Sequence, residues 1–141
     1  DCPIIGADGF DSQTLDDLAG AENLNDVYYT TAYTTVGASD KLQAFIDAYK
    51  AEYGTEPSMF EALAFDATNL LIQAVELAGT TDADAVNKAV AEIEFSAVNG
   101  IEFDGVTGSF TFDGTHTPIK SVLVVELENG VQTNAVAVTP R

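Results

Sequence analysis

The sequence predicts an α/β fold with an incomplete sheet, because its helices are gathered in the middle of the chain and its strands lie towards the two ends. Short apolar or β-branched segments begin the chain, three helical segments follow one another, and an alternating pattern ends it. A doubly wound sheet would instead repeat strand–helix units. Three consecutive helices need a sheet on which to pack, so the few strands indicate that part of that sheet is missing from this chain.

The first third of the chain predicts a strand, a short helix and a second strand. The apolar run 3–7 is typical of a buried strand. Ser12 is a good cap for a short helix, and Gly20 marks its end. Segment 26–33 is rich in aromatic and β-branched residues, which favours a strand there.

The middle of the chain predicts three helices, each with its own start signal. Ser39 caps a helix with one apolar face, and a glycine marks its end. Ser58 and Glu61 form a capping box for the next helix, which is apolar except for one narrow stripe, so we expect it to be mostly buried. A second capping box over 81–84 begins the third helix.

The last part of the chain predicts a β-meander, because the apolar pattern changes to a period of two. Segment 108–112 alternates, and segments 119–127 and 131–138 have the composition of strands. Asn129-Gly130 stands between the last two segments and is the strongest hairpin signal in the sequence.

The charge of the chain argues against two classes of partner. There are 23 acidic and 5 basic residues, which give a formal net charge of -18. Such a surface repels phosphate backbones and anionic lipids, so we expect no nucleic acid partner. No apolar run approaches the roughly 18 residues that a membrane span needs. The first residues lack the pattern of a secretory signal, so we expect the chain to begin at a mature end or within a longer protein.

The residue types also argue against an enzyme or a metal protein. The chain has one cysteine, Cys2, and one histidine, His116, which cannot supply a disulfide or a zinc site. The acidic loops 8–12 and 104–108 do not follow the calcium-loop pattern. No nucleophile motif, nucleophile–base pair or phosphate-binding glycine loop is visible. We therefore expect no catalytic residues, no cofactor and no metal.

Asp8 and Gly9 are the candidate binding residues that the pattern singles out. An aspartate at the carboxyl end of a strand stands where open α/β sheets bind ligands, and a glycine beside it allows close approach to the backbone. The carboxylate would accept charge-assisted hydrogen bonds from a ligand ammonium. The same pattern fits an Asx-turn or helix-start carboxylate without a ligand, and spacing alone favours that simpler interpretation. A phosphoacceptor role fits less well, because the next aspartate is three positions away instead of two.

Five segments, taken in order, resemble one family. Segment 4–12 resembles a strand followed by an acidic residue and glycine, and segment 26–30 resembles the family's Gly-Val-Tyr-Phe-Thr strand. Segment 45–57 matches the pattern F-x-x-x-Y-x-x-x-Y-G-x-x-P, and segments 64–67 and 103–113 complete the series. This is the pattern of type I periplasmic binding proteins of the leucine/isoleucine/valine-binding group. The resemblance covers nearly the whole chain at the family's spacing.

The resemblance implies a partial type I periplasmic-binding-protein fold, in which two α/β lobes are joined by three hinge strands with the ligand between them. On this basis, residues 1–34 are a piece of the second lobe that ends in a hinge strand, residues 35–120 are the C-terminal part of the first lobe, and residues 121–141 are strands that cross the hinge. We expect the chain to be a fragment without the N-terminal half. We also expect another copy to cover the surface left open, as a homodimer or by domain exchange.

The resemblance also implies a function. We expect the extracytoplasmic substrate-binding component of an ABC transporter for branched-chain or related amino acids, which works with a membrane permease as a periplasmic protein or a cell-surface lipoprotein. In relatives, an acidic residue at the place of Asp8 accepts the ligand's α-ammonium beside Gly9, and an aromatic at the place of Phe60 lines the ligand. Relatives often have glutamate at the first position, so the reach here is one methylene shorter. The alternative is a ligand-sensing domain of a receptor or regulator with the same fold.

Overall fold

The computed structural model describes residues 2–95, 103–113, 115 and 117–139 of the chain. Within these residues, the order is strand, helix, strand, three helices and then a β-meander, as the sequence predicts. The elements are β1 (Ile4–Gly6), α1 (Gln13–Ala19), β2 (Val27–Thr31), α2 (Asp40–Tyr53), α3 (Met59–Ala78), α4 (Ala83–Phe95), β3 (Phe103–Gly105), β4 (Gly108–Phe112), β5 (Pro118–Ile119), β6 (Val122–Glu128) and β7 (Val131–Val138), with short 3-10 helices at Asp8–Phe10 and Ala21–Asn23.

The larger sheet has the strand order β1-β2-β6-β7. β1 runs parallel to β2, with Ile4 opposite Val27, whereas the other two pairs are antiparallel. Parallel neighbours need a crossover connection, and α1 with its flanking 3-10 helices supplies it. The carboxyl end of β1 therefore leads directly into the turn that carries Asp8 and Gly9.

The core of this sheet lies on one face of β2. Alternate residues of the strand are buried, and Val27 and Tyr29 pack with Val125 and Leu127 of β6. The prediction that β1 is buried is wrong for the described residues, because Ile5 is 80% exposed. β1 is an edge strand with β2 as its one neighbour in the sheet, so half of its surroundings is open.

α2 confirms its predicted start and end. The Ser39 hydroxyl accepts the Leu42 N–H at 3.2 Å, which satisfies one of the free donors of the first turn. Gly54 ends the helix in the left-handed conformation with φ 75°, and its N–H donates to the Lys50 carbonyl. Each of these hydrogen bonds joins residues at most four positions apart, so neither depends on packing with distant parts of the chain.

α3 begins at its predicted capping box, but it is not mostly buried. Ser58 donates its N–H and its hydroxyl to the Glu61 carboxylate and accepts the Phe60 N–H. Large apolar side chains are exposed along the helix at Phe60, Phe65, Leu71, Ile72 and Leu77. The narrow polar stripe of this helix is formed in the sequence by Glu61, Asp66, Asn69, Gln73 and Glu76. Asp66 is nevertheless only 3% exposed. The packed face of the helix buries Met59, Ala62, Ala74 and one aspartate, whereas several of its large apolar residues lie outside.

α4 begins one residue later than predicted. The Thr80 hydroxyl accepts the Asp82 N–H, and the Asp82 carboxylate accepts the Ala85 N–H. Asp82, immediately before the first helical residue Ala83, therefore acts as the cap. The predicted box over 81–84 is wrong, because the local turn at Thr80 delays the start of the helix.

The smaller sheet is antiparallel, with the order β3-β4-β5. α4 packs against β4, and the core here combines Ala74 of α3, Ile93 of α4 and Phe103 of β3. The single predicted strand 119–127 is divided, because β5 pairs within this sheet while β6 pairs within the larger one. β6 pairs with β2, which is distant in sequence, and a local pattern contains no signal for that pairing.

The chain divides into two compact units. The first unit comprises Asp1–Ala62 and Val122–Thr139, and the second unit contains Leu63–Ser121. The boundary falls within α3, so the first turn of that helix belongs to the first unit. Within the described residues, none of the helices combines the length and the apolar character required to cross a bilayer.

Candidate functional site

Asp8 and Gly9 lie together in a single 3-10 turn at the carboxyl end of β1. The turn is closed by two backbone hydrogen bonds, from Phe10 N–H to the Ala7 carbonyl at 3.0 Å and from Asp11 N–H to the Asp8 carbonyl at 2.9 Å. Both candidate residues are exposed. A Cβ added to Gly9 would meet no atom within 4 Å. The turn thus presents a carboxylate and an open stretch of backbone.

Phe10 attaches one side of this turn to the sheet. Its side chain is half-buried against the core cluster that includes Leu24 and Val27. The ring lies so close to Gly6 that a Cβ on this glycine would overlap it. Gly6 therefore has to be a glycine for the ring to reach this place, and the ring holds the turn against the end of β1.

Asp11 attaches the other side of the turn through its carboxylate. The hydroxyl of Thr31, a buried residue on β2, donates to Asp11 Oδ2 at 2.6 Å, and the Tyr29 hydroxyl lies 3.4 Å from Oδ1. Burial raises the pKa of Asp11 above its ordinary value of 3.8, while the hydrogen bonds from Thr31 and Tyr29 act in the opposite direction. Burial, followed by the charge of Asp11, raises the pKa of Tyr29 to about 12, so the phenol remains a donor at neutral pH.

The hydrogen bonds continue from Tyr29 to β7 and the segment after β2. Gln132 Nε2 donates to the Tyr29 hydroxyl at 2.7 Å, and Thr34 Oγ1 donates to Gln132 Oε1 at 2.7 Å. Thr34 and Tyr29 are buried. This network joins three chain segments that are far apart in sequence, and the sequence pattern contained no signal for it.

A cavity of about 460 Å³ lies within the first unit, beside this network. Carboxylates, hydroxyls and two tyrosine rings line it, and none of its lining residues is basic. Asp8, Gly9 and Phe60 are not among the lining residues, which include Asp11, Ser12, Asp16, Tyr29, Tyr33, Glu56 and Ser58. The structure therefore places the predicted binding residues outside this cavity.

Tyr33, which also lines the cavity, has a buried hydroxyl with no hydrogen-bond partner among the described residues. Burial, and then the negative charges of Glu56 and Asp11, raise the pKa of Tyr33 to about 12. The hydroxyl is therefore neutral, and its burial carries a cost without a compensating hydrogen bond.

Phe60 stands on a different element from Asp8 and Gly9. It is the second residue of α3 and is 63% exposed. Its N–H donates to the Ser58 hydroxyl at 3.2 Å, so the capping box fixes the backbone from which its ring projects. An exposed aromatic ring on a capped helix end is available for contact with an apolar group.

Asp66 forms a polar site in the second unit that the sequence did not predict. Its Oδ1 accepts the Val106 N–H at 2.7 Å, and its Oδ2 accepts the Thr107 N–H at 2.9 Å and the Thr107 hydroxyl at 2.6 Å. Lys120 Nζ also contacts the Thr107 hydroxyl. Burial lowers the pKa of Lys120, and the charge of Asp66 opposes this effect. The carboxylate is occupied by its own chain, so it joins α3 to the β3–β4 turn.

The remaining chemically distinctive residues form no further site. Cys2 is exposed, and His116 lies outside the described residues. Across the part of the chain that the structure describes, no three His, Cys, Asp or Glu residues come together in a group that would hold a metal ion.

The chain has clear counterparts among known proteins. The family model for periplasmic binding proteins matches residues 1–132. No curated protein matches the chain. Among solved structures, it is 35% identical to the branched-chain amino acid transporter substrate binding protein LivJ from Streptococcus pneumoniae in complex with isoleucine, with a TM-score of 0.84 and coverage of 99% of this chain and 38% of that one. It is 30% identical to the leucine binding protein LivK from Thermotoga maritima, with a TM-score of 0.81 and coverage of 97% and 37%.

These likenesses confirm the predicted partial fold, because nearly the whole chain corresponds to one part of LivJ and LivK. The chain spans 38% and 37% of the length of those two proteins. The larger part of each has no counterpart here.

Proposed function

Because the chain belongs to the periplasmic binding protein family, we propose that it is part of the substrate-binding component of an ABC transporter for branched-chain or related amino acids. The observation that carries this proposal is the similarity to LivJ and LivK along nearly the whole chain. The matched family model describes periplasmic binding proteins, which supports a solute-binding role and not an enzyme. The proposed activity is therefore reversible binding of a zwitterionic amino acid, and its partner is the transporter's membrane permease.

Asp8, Gly9 and Phe60 are the proposed ligand contacts. The Asp8 carboxylate accepts hydrogen bonds from the α-ammonium, Gly9 lets the ligand approach the backbone, and the Phe60 ring contacts an apolar side chain. Their exposure in the structure supports this proposal, since each is free to meet a ligand. Together they provide a charged contact for the common part of amino acids and an apolar contact for the variable part.

The proposed domain assignment follows from the same family membership. Residues 1–34 belong to the second lobe, residues 35–120 to the first lobe, and residues 121–141 to the hinge strands. Ligand binding then closes the two lobes by a hinge motion. The proposed location is outside the cytoplasmic membrane, either in the periplasm or on the cell surface as a lipoprotein, where such a component meets its ligand.

We also propose that the isolated chain associates with another copy, as a homodimer or by domain exchange. The exposed edge strand β1 with Ile4 and Ile5, and the exposed Val136 and Val138 of β7, support this proposal. Light scattering at increasing concentration tests it. A mass that stays at that of one chain would contradict the association.

The test of the binding site is the charge removal Asp8→Asn in the complete two-lobed protein. Calorimetric titration with leucine, isoleucine and valine should show a loss of about 3–5 kcal/mol, roughly a hundredfold to a few thousandfold in affinity, because the ligand ammonium is left desolvated and unpaired. Phe60→Ala should cost less, since it removes apolar contact only. Asp17→Asn, which removes an exposed charge on α1, is the matched control and should bind as the parent does. Unchanged affinity in Asp8→Asn would contradict the proposed site.

A further inference from the structure

The turn that carries Asp8 is weakly held by its own backbone. It consists of one 3-10 turn closed by two hydrogen bonds, and Asp8 and Gly9 bury no side chain. Isolated turns of this kind are poorly stable, since few hydrogen bonds offset the loss of backbone freedom. A carboxylate discriminates between ligands only when its position is held to within about 0.5 Å. The neighbouring residues therefore have to supply the missing rigidity.

Asp11 connects this turn to β2 through two hydrogen bonds. Its N–H donates to the Asp8 carbonyl at 2.9 Å, and its carboxylate accepts the Thr31 hydroxyl at 2.6 Å. Thr31 is 1% exposed within the sheet, so its position is determined by packing. One residue, Asp11, thus connects the Asp8 backbone to a rigid strand.

The hydroxyl of Thr31 has one proton and two neighbouring acceptors. Its distance to Asp11 Oδ2 is 2.6 Å, and its distance to the Tyr33 carbonyl is 3.2 Å. The shorter contact to a carboxylate takes the proton. The Tyr33 N–H in turn donates to the Thr31 oxygen at 3.1 Å, so the hydroxyl is oriented by the backbone just after β2. The second contact of Asp11, at 3.4 Å from the Tyr29 hydroxyl, is long for a hydrogen bond between oxygens.

We propose that Asp11 and Thr31 are positioning residues for the Asp8 carboxylate, so that ligand affinity depends on the Thr31–Asp11 hydrogen bond without any ligand contact to either residue. This inference rests on the proposed role of Asp8 as the acceptor of the α-ammonium. Asp11 fixes one side of the exposed turn to the rigid strand β2, and the Phe10 ring packed on Gly6 fixes the other side of the turn.

Removing the Thr31 hydroxyl tests this inference in the complete two-lobed protein. Thr31→Val should lower the affinity for leucine by about 10- to 100-fold, by analogy with the loss seen when a group that orients a metal ligand is removed. Thr31→Ser keeps the hydroxyl and should restore most of the affinity. Thr30→Val is the matched control, because Thr30 is the preceding residue of the same strand and its side chain faces the other side of the sheet.

A double-mutant cycle separates positioning from a general loss of structure. If Thr31 acts through Asp8, the effect of Thr31→Val on leucine affinity should disappear in an Asp8→Asn background, whereas the effects of the two changes on unfolding should add. Equal weakening in both backgrounds, or full affinity in Thr31→Val, would overturn the positioning role. If Thr31→Val does not fold, Asp11→Ala removes the same hydrogen bond at its other partner, which is only half-buried. The same double-mutant cycle with Asp8→Asn then applies.

The affinity of Asp8→Asn relative to the unmutated protein shows whether the proposed binding site or only the positioning role has failed. Full affinity in Asp8→Asn alone would overturn the proposed function at this site and the positioning role with it. A large loss in Asp8→Asn combined with no coupling to Thr31→Val would overturn the positioning role and leave the proposed function intact.

Discussion

Replacing Asp66 by alanine should destabilise the second unit strongly. The carboxylate accepts two backbone N–H groups and one hydroxyl, and the residue is 3% exposed. Its removal leaves the Val106 and Thr107 N–H groups without their acceptor, at about 1–3 kcal/mol each. Val106 is buried, so its N–H carries the larger cost, whereas the half-buried Thr107 finds water more easily. We expect a loss of about 3–5 kcal/mol in the free energy of unfolding.

Urea unfolding followed by circular dichroism measures this loss, and amide hydrogen exchange locates it. The Val106 and Thr107 amides should lose protection in Asp66→Ala, because their acceptor is gone. Glu76→Ala is the matched control, since Glu76 is an exposed acid on the same helix, and its effect should stay within about 0.5 kcal/mol. A change below about 1 kcal/mol in Asp66→Ala, or unchanged exchange at Val106, would refute the argument.

Gly105 provides a second test of the same contact. The nearest atoms that a Cβ at Gly105 would meet belong to Asp66, and the carboxylate would overlap it. Gly105→Ala should therefore cost about 1–3 kcal/mol in the parent and less in the Asp66→Ala background. Strictly additive effects would show that the two residues do not share the space.

Two further predictions concern single side chains of the first unit. Hydrogen bonds from the Ser58 hydroxyl and N–H lower the pKa of Glu61 below its ordinary value of 4.5. Because folding lowers the pKa of Glu61, these hydrogen bonds stabilise the protein fully at pH values above the unfolded-state pKa. This stabilisation is lost as the pH falls through the pKa of Glu61 in the folded protein. The melting temperatures of the parent and Glu61→Gln should therefore converge on acidification, and a constant difference across that range would contradict this. Tyr33→Phe removes a buried hydroxyl without a partner among the described residues, so it should be neutral or stabilise by about 1 kcal/mol in urea unfolding, and a clear loss of stability would reveal an unrecognised partner.

Local signals in the sequence predicted element ends well. Ser39 and Gly54 bound α2, and the capping box at Ser58 starts α3. Asn129 and Gly130, with φ of 51° and 74°, form the turn before β7. Caps and tight turns act over a few residues, so the local sequence contains the information that they need.

Burial was predicted less well. The sequence indicated a buried β1 and a mostly buried α3, yet Ile5 and Leu71 are exposed. A pattern of apolar residues shows which face is able to pack, but it does not show how many neighbours that face has within the chain. The position of β1 at the edge of its sheet decided the first case.

By itself, the sequence determined the order of elements, most of their ends, the family resemblance and the candidate residues Asp8, Gly9 and Phe60. Tertiary structure alone decided which hydrogen bonds join segments that are distant in sequence. The bond between Asp11 and Thr31 spans 20 positions, and the bond between Asp66 and Thr107 spans 41. In the sequence, both aspartates look like ordinary solvated acids. A carboxylate is stable in a buried place only where donors from distant segments converge on it, and that convergence exists only once the chain has folded.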